Sequence, residues 1–214
     1  MLVLDVFSDV ICPWCYLGHR RLDEAIGRLG DDAGAIELRW RAFQLDPNAT
    51  AEPGDLEKAI ERKYGPGAFE AMGRRLDHLG AECGIDYRFD KALRVGTFDA
   101  HRLIQWAQAT HRPRTDALAD ALFEAYFAHG ANVADHATLV DLAEAAGLAR
   151  EGASELLASR RFADEVMNDR VEAIEAGITG VPAVAYNGAT IIPGAQDVDT
   201  MELIIRRLHS KVAG

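Results

Sequence analysis

Cysteine is scarce in this 214-residue chain, with three in all, at positions 12, 15 and 83. That excludes a secreted scaffold held together by many disulfides. No second C-x-x-C and no C-x-x-H exists, so cysteine pairs cannot supply the four ligands of a closed zinc site. The 7 histidines, at 19, 78, 101, 111, 129, 136 and 209, show no ligand-pair spacing beyond His129 and His136, seven apart. No metal is expected. Positive charge is also short. Lys and Arg number 23 against 34 Asp and Glu, a net charge of −11, which argues against nucleic acid or an anionic membrane surface as partner. No segment approaches the ~20 apolar residues of a membrane span. No basic stretch precedes the first apolar run, so no secretory signal is evident and a cytoplasmic location is expected. In that compartment a dithiol is expected to cycle, not to persist as a structural bridge.

What the chain does have is Cys12-Pro13-Trp14-Cys15, directly after the apolar run Leu2-Val3-Leu4-Asp5-Val6-Phe7. A C-x-x-C that ends a strand and opens a helix suits dithiol chemistry. The spacing brings both sulfurs together in the first helical turn. Pro13 falls at the first helical position, where its missing N–H costs no bond and its fixed φ suits the helix. Cys12 then faces unpaired backbone N–H groups and the positive end of the helix dipole, which favour the thiolate that attacks disulfides. Cys15, one turn in, is placed to resolve a mixed disulfide formed at Cys12. Two inert core cysteines are the plainer alternative, and the intervening proline and the strand–helix junction speak against it.

The pattern of apolar residues organises the rest. Residues 2–7 read as a buried strand, 13–29 as a helix with Leu17, Leu22, Ala25, Ile26 and Leu29 inward, and 36–41 as an alternating strand. The loop-like stretch 42–54 leads into a block expected to be helical throughout, to about residue 178. Its stripes are Phe69, Met72, Leu76, Leu79 and Cys83, then Leu139, Leu142, Ala143 and Ala146, then Met167, Val171, Ile174 and Ile178. Thr97 and Asp135 are expected N-caps, and Gly84 and Gly147 helix stops. Pro182–Tyr186 and Ala189–Ile192 flank Asn187-Gly188, the strongest short hairpin signal. Residues 198–209 form a last amphipathic helix. The order is β-α-β, a helical block, then α-β-β-α. The block is too long for a loop. The expected class is therefore α/β, with one sheet carrying a large all-helical insertion at 44–159 between discontinuous segments 1–43 and 160–214.

These residues resemble the DsbA family, a thioredoxin-like fold with a helical insertion, and within it the FrnE-like branch. The resemblance is carried by Phe7-Ser8-Asp9-Val10-Ile11-Cys12-Pro13-Trp14-Cys15-Tyr16-Leu17-Gly18. Phe43-Gln44-Leu45-Asp46-Pro47, Asn132 with Asp135, Gly177 to Pro182 and Ile192-Pro193-Gly194-Ala195-Gln196 support it. It covers nearly the whole chain. It implies a cis peptide bond at Val181-Pro182, with the Val181 backbone pairing an extended substrate beside the C-x-x-C. Relatives of the same architecture, the kappa-class glutathione transferases and 2-hydroxychromene-2-carboxylate isomerases, use serine where this chain has Cys12. A hydroxyl cannot form a disulfide, so Cys12 with Cys15 favours exchange.

Most of the other residues have more than one reading. Cys83 reads as a small buried hydrophobe or a third redox thiol. The second cysteine pair that some FrnE-like proteins carry near the C-terminus is absent. Trp14 reads as a substrate contact that brings no positive charge to the dithiol. Asp9, beside Ser8, reads as a proton shuttle for Cys15, as a helix cap, or as a solvated carboxylate. Phe98, His101 and Trp106 either line a cleft over Cys12 or are core packing plus one solvated histidine.

The function expected is a thiol–disulfide oxidoreductase of reductase or isomerase type. Cys12 and Cys15 are catalytic, and Pro13, Trp14, Val181 and Pro182 contact substrate. The alternative is a glutathione-dependent isomerase or transferase on a small aromatic or polyketide-like compound. The partners expected are protein or small-molecule thiols and disulfides, with no nucleic acid or membrane. No cofactor is required beyond the dithiol. Glutathione as co-substrate and a homodimer are left open.

Overall fold

The computed structural model describes residues 2–30 and 36–213. The central sheet has strand order β2 (Ile36–Ala42), β1 (Leu2–Ser8), β5 (Ala183–Tyr186), β6 (Ala189–Pro193). β1 runs parallel to β2, with Leu4 opposite Leu38 and Val6 opposite Trp40. β5 is antiparallel to β1, and β6 to β5. The turn between β5 and β6 has positive φ at both Asn187 (50°) and Gly188 (77°), as a two-residue hairpin with the right-handed strand twist requires.

Side chains of β1 alternate between two environments. Leu2, Leu4 and Val6 join a core shared with α1 (Pro13–Leu29) and α9 (Val198–Ala213), which contributes Met201 and Ile205. Phe7 joins a smaller cluster with Ala173 of α8 (Ala163–Glu175), Ile178, Ala183 and Ala185. α1 and α9 thus cover one face of the sheet and α8 the other. This is the thioredoxin-like arrangement expected.

Between β2 and α8 come α2 (Leu56–Tyr64), α3 (Ala68–Glu82), α4 (Phe98–Thr110), α5 (Thr115–His129), α6 (His136–Ala145) and α7 (Arg150–Leu157). The stretch is not purely helical. Gly54–Asp55 (β3) pairs with Leu93–Arg94 (β4) in a two-stranded ladder too short to leave a pattern in sequence. Asp135 caps α6 by accepting from the Thr138 N–H, whereas Thr97 occupies the N-cap of α4 without a side-chain bond. Gly84 and Gly147 follow helix ends with positive φ, at 70° and 83°.

One stripe is reversed except at its last residue, Ile178, which is buried beyond the end of α8. On α8, Met167, Val171 and Ile174 are 58%, 52% and 68% exposed, and the buried residues are Ala163, Val166, Asp169 and Ala173. Asp169 makes that face possible. Its carboxylate accepts from Arg41 Nη1 at 2.8 Å, Ala42 N at 2.8 Å and Gln105 Nε2 at 2.6 Å. Three donors offset part of the cost of burying that carboxylate, and burial still holds its carboxyl above the ordinary range.

Candidate dithiol site

α1 begins where the sequence predicts. Cys12 is its N-cap, in extended conformation (φ −90°, ψ 113°), and Pro13 follows. The Cys12 carbonyl accepts from Cys15 N (3.0 Å) and Tyr16 N (3.2 Å), and Cys12 N donates to the Asp9 carbonyl (3.0 Å). Both thiols are buried and free, Cys12 at 3% exposure and Cys15 at 1%. Burial pushes the Cys15 thiol well above its ordinary range, and the neighbouring Cys12 sulfur adds to the effect. The Asp9 backbone and the Ser8 hydroxyl pull weakly the other way.

The Val181–Pro182 bond is cis, and the loop lies against the motif. Cys12 Sγ donates to the Val181 carbonyl at 3.8 Å. Gly18 accounts for the close approach. A Cβ there would stand 3.0 Å from Pro182 Cγ and 3.4 Å from Pro182 Cβ. Its lack of a side chain lets α1 seat the proline loop beside the thiols.

The insertion covers the other side. Tyr87 donates from its hydroxyl to the Pro13 carbonyl at 2.6 Å. Its own ionisation is pushed far up by burial, with Cys12 the next contributor. Tyr16, next to Cys15, stacks on Phe123 of α5 at 5.1 Å. Trp14 is half-buried, and the exposed Arg75 of α3 places its guanidinium 5.1 Å from the indole centre. Trp14 brings no charge of its own, but Arg75 sets a positive charge beside the motif. It comes from 61 positions downstream, where sequence spacing gives no hint.

Asp9 neither caps α1 nor faces water. It is 0% exposed. Its Oδ2 accepts from Leu45 N at 2.8 Å, and its Oδ1 lies 3.3 Å from His101 Nε2. His101, 4% exposed, is not the solvated histidine expected. Trp106 lies elsewhere, buried against Gly152 of α7, and Phe98 is half-buried at the start of α4. Cys83 sits at the C-cap of α3, half-buried and packed against the core, as are Met72 and Leu79 of its stripe.

The residues brought together are thus Cys12, Pro13, Trp14, Cys15, Val181, Pro182 and Asp9. Gly18, Arg75, Tyr87 and His101 join them. A separate cavity of ≈ 680 Å³ lies on the α8 side of the sheet, lined by residues including Asp5, Arg39, Arg41, Glu172 and Tyr186, with no residue of the motif.

Comparison with known proteins agrees with this fold. The crystal structure of a probable DsbA oxidoreductase of Streptomyces coelicolor superposes with a TM-score of 0.89 at 32% identity, covering 99% of this chain and 91% of that one. A Bacillus subtilis protein, YwbO, described as uncharacterized, is 27% identical over 203 residues, 94% of each chain. The cytosolic disulfide reductase DsbM of Pseudomonas aeruginosa, solved with GSH, shares the fold at a TM-score of 0.68 and 16% identity, covering 100% of both chains. The family model for the DSBA-like thioredoxin domain matches residues 3–206. The chain belongs to the family of DSBA-like thioredoxin domains.

Proposed function

We propose that this protein is a thiol–disulfide oxidoreductase working chiefly as a reductase or isomerase. One observation carries the reading: Cys12 caps α1 with Cys15 one buried turn behind it, both beside a cis-proline loop. The Cys12 thiolate attacks a substrate disulfide. A mixed disulfide forms and one substrate sulfur leaves as a thiol. Cys15 then loses its proton, attacks Cys12 Sγ, releases the second substrate thiol and leaves the Cys12–Cys15 disulfide. An external thiol returns the pair to the dithiol. The raised pKa of Cys15 makes its deprotonation the step that needs help, and the buried Asp9–His101 pair is the proposed proton relay. Val181 and Pro182 align the substrate backbone, and Pro13 and Trp14 form the rim. The work is assigned to the cytoplasm, where a reducing thiol pool favours reduction and isomerisation over net oxidation. Glutathione suits the reductant's role: DsbM, solved with GSH, has this fold.

The test is dithiothreitol-driven insulin reduction with wild type, Cys12→Ser and Cys15→Ser. Acceleration by wild type, with both variants at the uncatalysed rate, is the expected result. An inert wild type whose dithiol still cycles would overturn this reading. It would direct attention to the glutathione-dependent isomerase or transferase alternative, in which Cys12 acts without Cys15.

A further inference from the structure

Away from the dithiol, one turn further along α1, His19 is only 3% exposed, and neither of its ring nitrogens makes a hydrogen bond. The ring is aimed between two carboxylates. Nε2 lies 3.4 Å from Oδ2 of Asp23, its i+4 neighbour, and 3.3 Å from Oδ1 of Asp120 on α5. An imidazolium paired with either carboxylate would direct its N–H along one line at about 2.8 Å. Here the nitrogen stands almost equally far from both oxygens and aligned with neither, and Asp120 Oδ1 is itself buried without a hydrogen bond. The spacing fits a different occupant. Ligands bound at ~2.0–2.1 Å to a tetrahedral ion stand about 3.4 Å apart.

We propose that His19, Asp23 and Asp120 form a binding site for one divalent transition-metal cation of the zinc class, joining α1 to α5. The three donor atoms lie within 4.8 Å of one another. One nitrogen and two carboxylate oxygens form a borderline donor set that suits zinc, and the fourth position falls to water. Entry is open from the surface, since the Asp23 and Asp120 side chains are 43% and 32% exposed. Arg20 Nη1, 3.8 Å from Asp120 Oδ1, is the one full cation in the group. Asp116 also fixes the surroundings: it accepts from Trp40 Nε1 at 2.7 Å, and the Trp40 ring meets His19 edge-on at 4.9 Å. The sequence conceals the site because two of its ligands share one helix turn and the third is 97 positions beyond Asp23.

Thiolates also take zinc, so the test uses the full-length chain with Cys12→Ser and Cys15→Ser, stripped of metal and titrated with zinc chloride by calorimetry. One zinc per chain is expected, along with visible d–d absorption when cobalt(II) replaces it. Adding Asp120→Asn or His19→Gln should weaken binding by more than about tenfold. Asp23→Asn, at the exposed rim where folding is least at risk, should do the same, with circular dichroism confirming the fold of each variant. No heat and no cobalt spectrum would overturn the proposal and leave a buried ion pair. Binding that Asp23→Asn and Asp120→Asn leave unchanged would also overturn it.

Discussion

Gly18 carries no chemistry, yet the geometry of the dithiol depends on it. The absent side chain leaves room for the Pro182 ring, which a Cβ would meet at 3.0 Å. Alanine would require a shift of a few tenths of an ångström. Valine adds two further carbons to a contact already at its limit, and overpacking of this kind costs about 1–3 kcal/mol. Because the strain falls on the proline loop, Gly18→Val should lower insulin-reduction activity by more than the loss of stability accounts for. Activity measured well below the thermal midpoint, together with the midpoint itself, separates the two effects. Unchanged activity would show that the cis-proline loop does not have to approach α1 this closely. Cys12, Pro13 and Cys15 were legible at this scale because their meaning is local: proline at the first helical position, sulfurs one turn apart. Gly18 stood in the same segment, but its meaning depends on a proline 164 positions away. Arg75, Tyr87 and His101 are of the same kind, each defined by a distant partner.

Among the elements, α8 shows most clearly what periodicity can and cannot decide. Both of its faces repeat at helical spacing. Met167, Val171 and Ile174 form the more apolar stripe, and hydrophobicity alone turns it inward. The stripe that is buried, Val166, Asp169 and Ala173, includes a charge, which from sequence belongs in water. What reverses the preference is the set of donors on Arg41, Ala42 and Gln105 that meets the Asp169 carboxylate. Those partners belong to β2 and α4, so no window along α8 contains the signal. Substitution by aspartate distinguishes the faces. Val171→Asp places a carboxylate in solvent and should change stability by no more than about 0.5 kcal/mol. Ala173→Asp places one against Phe7 and Ile178 with no donor and should cost about 3 kcal/mol or more. Urea unfolding of the two variants measures both, and the opposite order would restore the apolar stripe to the core. By contrast, α1 and the β5–β6 hairpin were legible almost to the residue, and α9 at its start, though it runs on to Ala213 where 209 was expected. Proline, Asn-Gly and a single amphipathic stripe are local signals with no competing face.

For the whole molecule, the question is how a sheet assembled from both ends of the chain stays in register with the helices inserted between them. Two of the joints between them have different consequences. On the α8 side, Asp169 bonds to Arg41 and Ala42 of β2 and to Gln105 of α4. These bonds lie away from the thiols and hold the assembly together. At the dithiol the link is Tyr87, whose hydroxyl fixes the Pro13 carbonyl inside the motif. Removing one link of each type should therefore give different phenotypes. Asp169→Ala leaves the Ala42 N–H without its acceptor, Gln105 Nε2 with the Trp40 carbonyl alone, and Arg41 with Asp5 and Glu172, at a cost of about 2–4 kcal/mol. At about 2–4 °C per kcal/mol for a chain of this size, the thermal midpoint should fall by roughly 4–16 °C. Turnover at low temperature should be nearly retained. Tyr87→Phe removes one hydrogen bond, about 1 kcal/mol, and the midpoint should move by only about 2–4 °C. Turnover should nevertheless drop several-fold, because the first turn that carries both sulfurs loses its outside anchor. Differential scanning calorimetry paired with the insulin assay checks both variants at once. If Tyr87→Phe lost stability without losing turnover, the insertion would act on the dithiol only as a cover, and the positioning role argued for Tyr87 would be wrong.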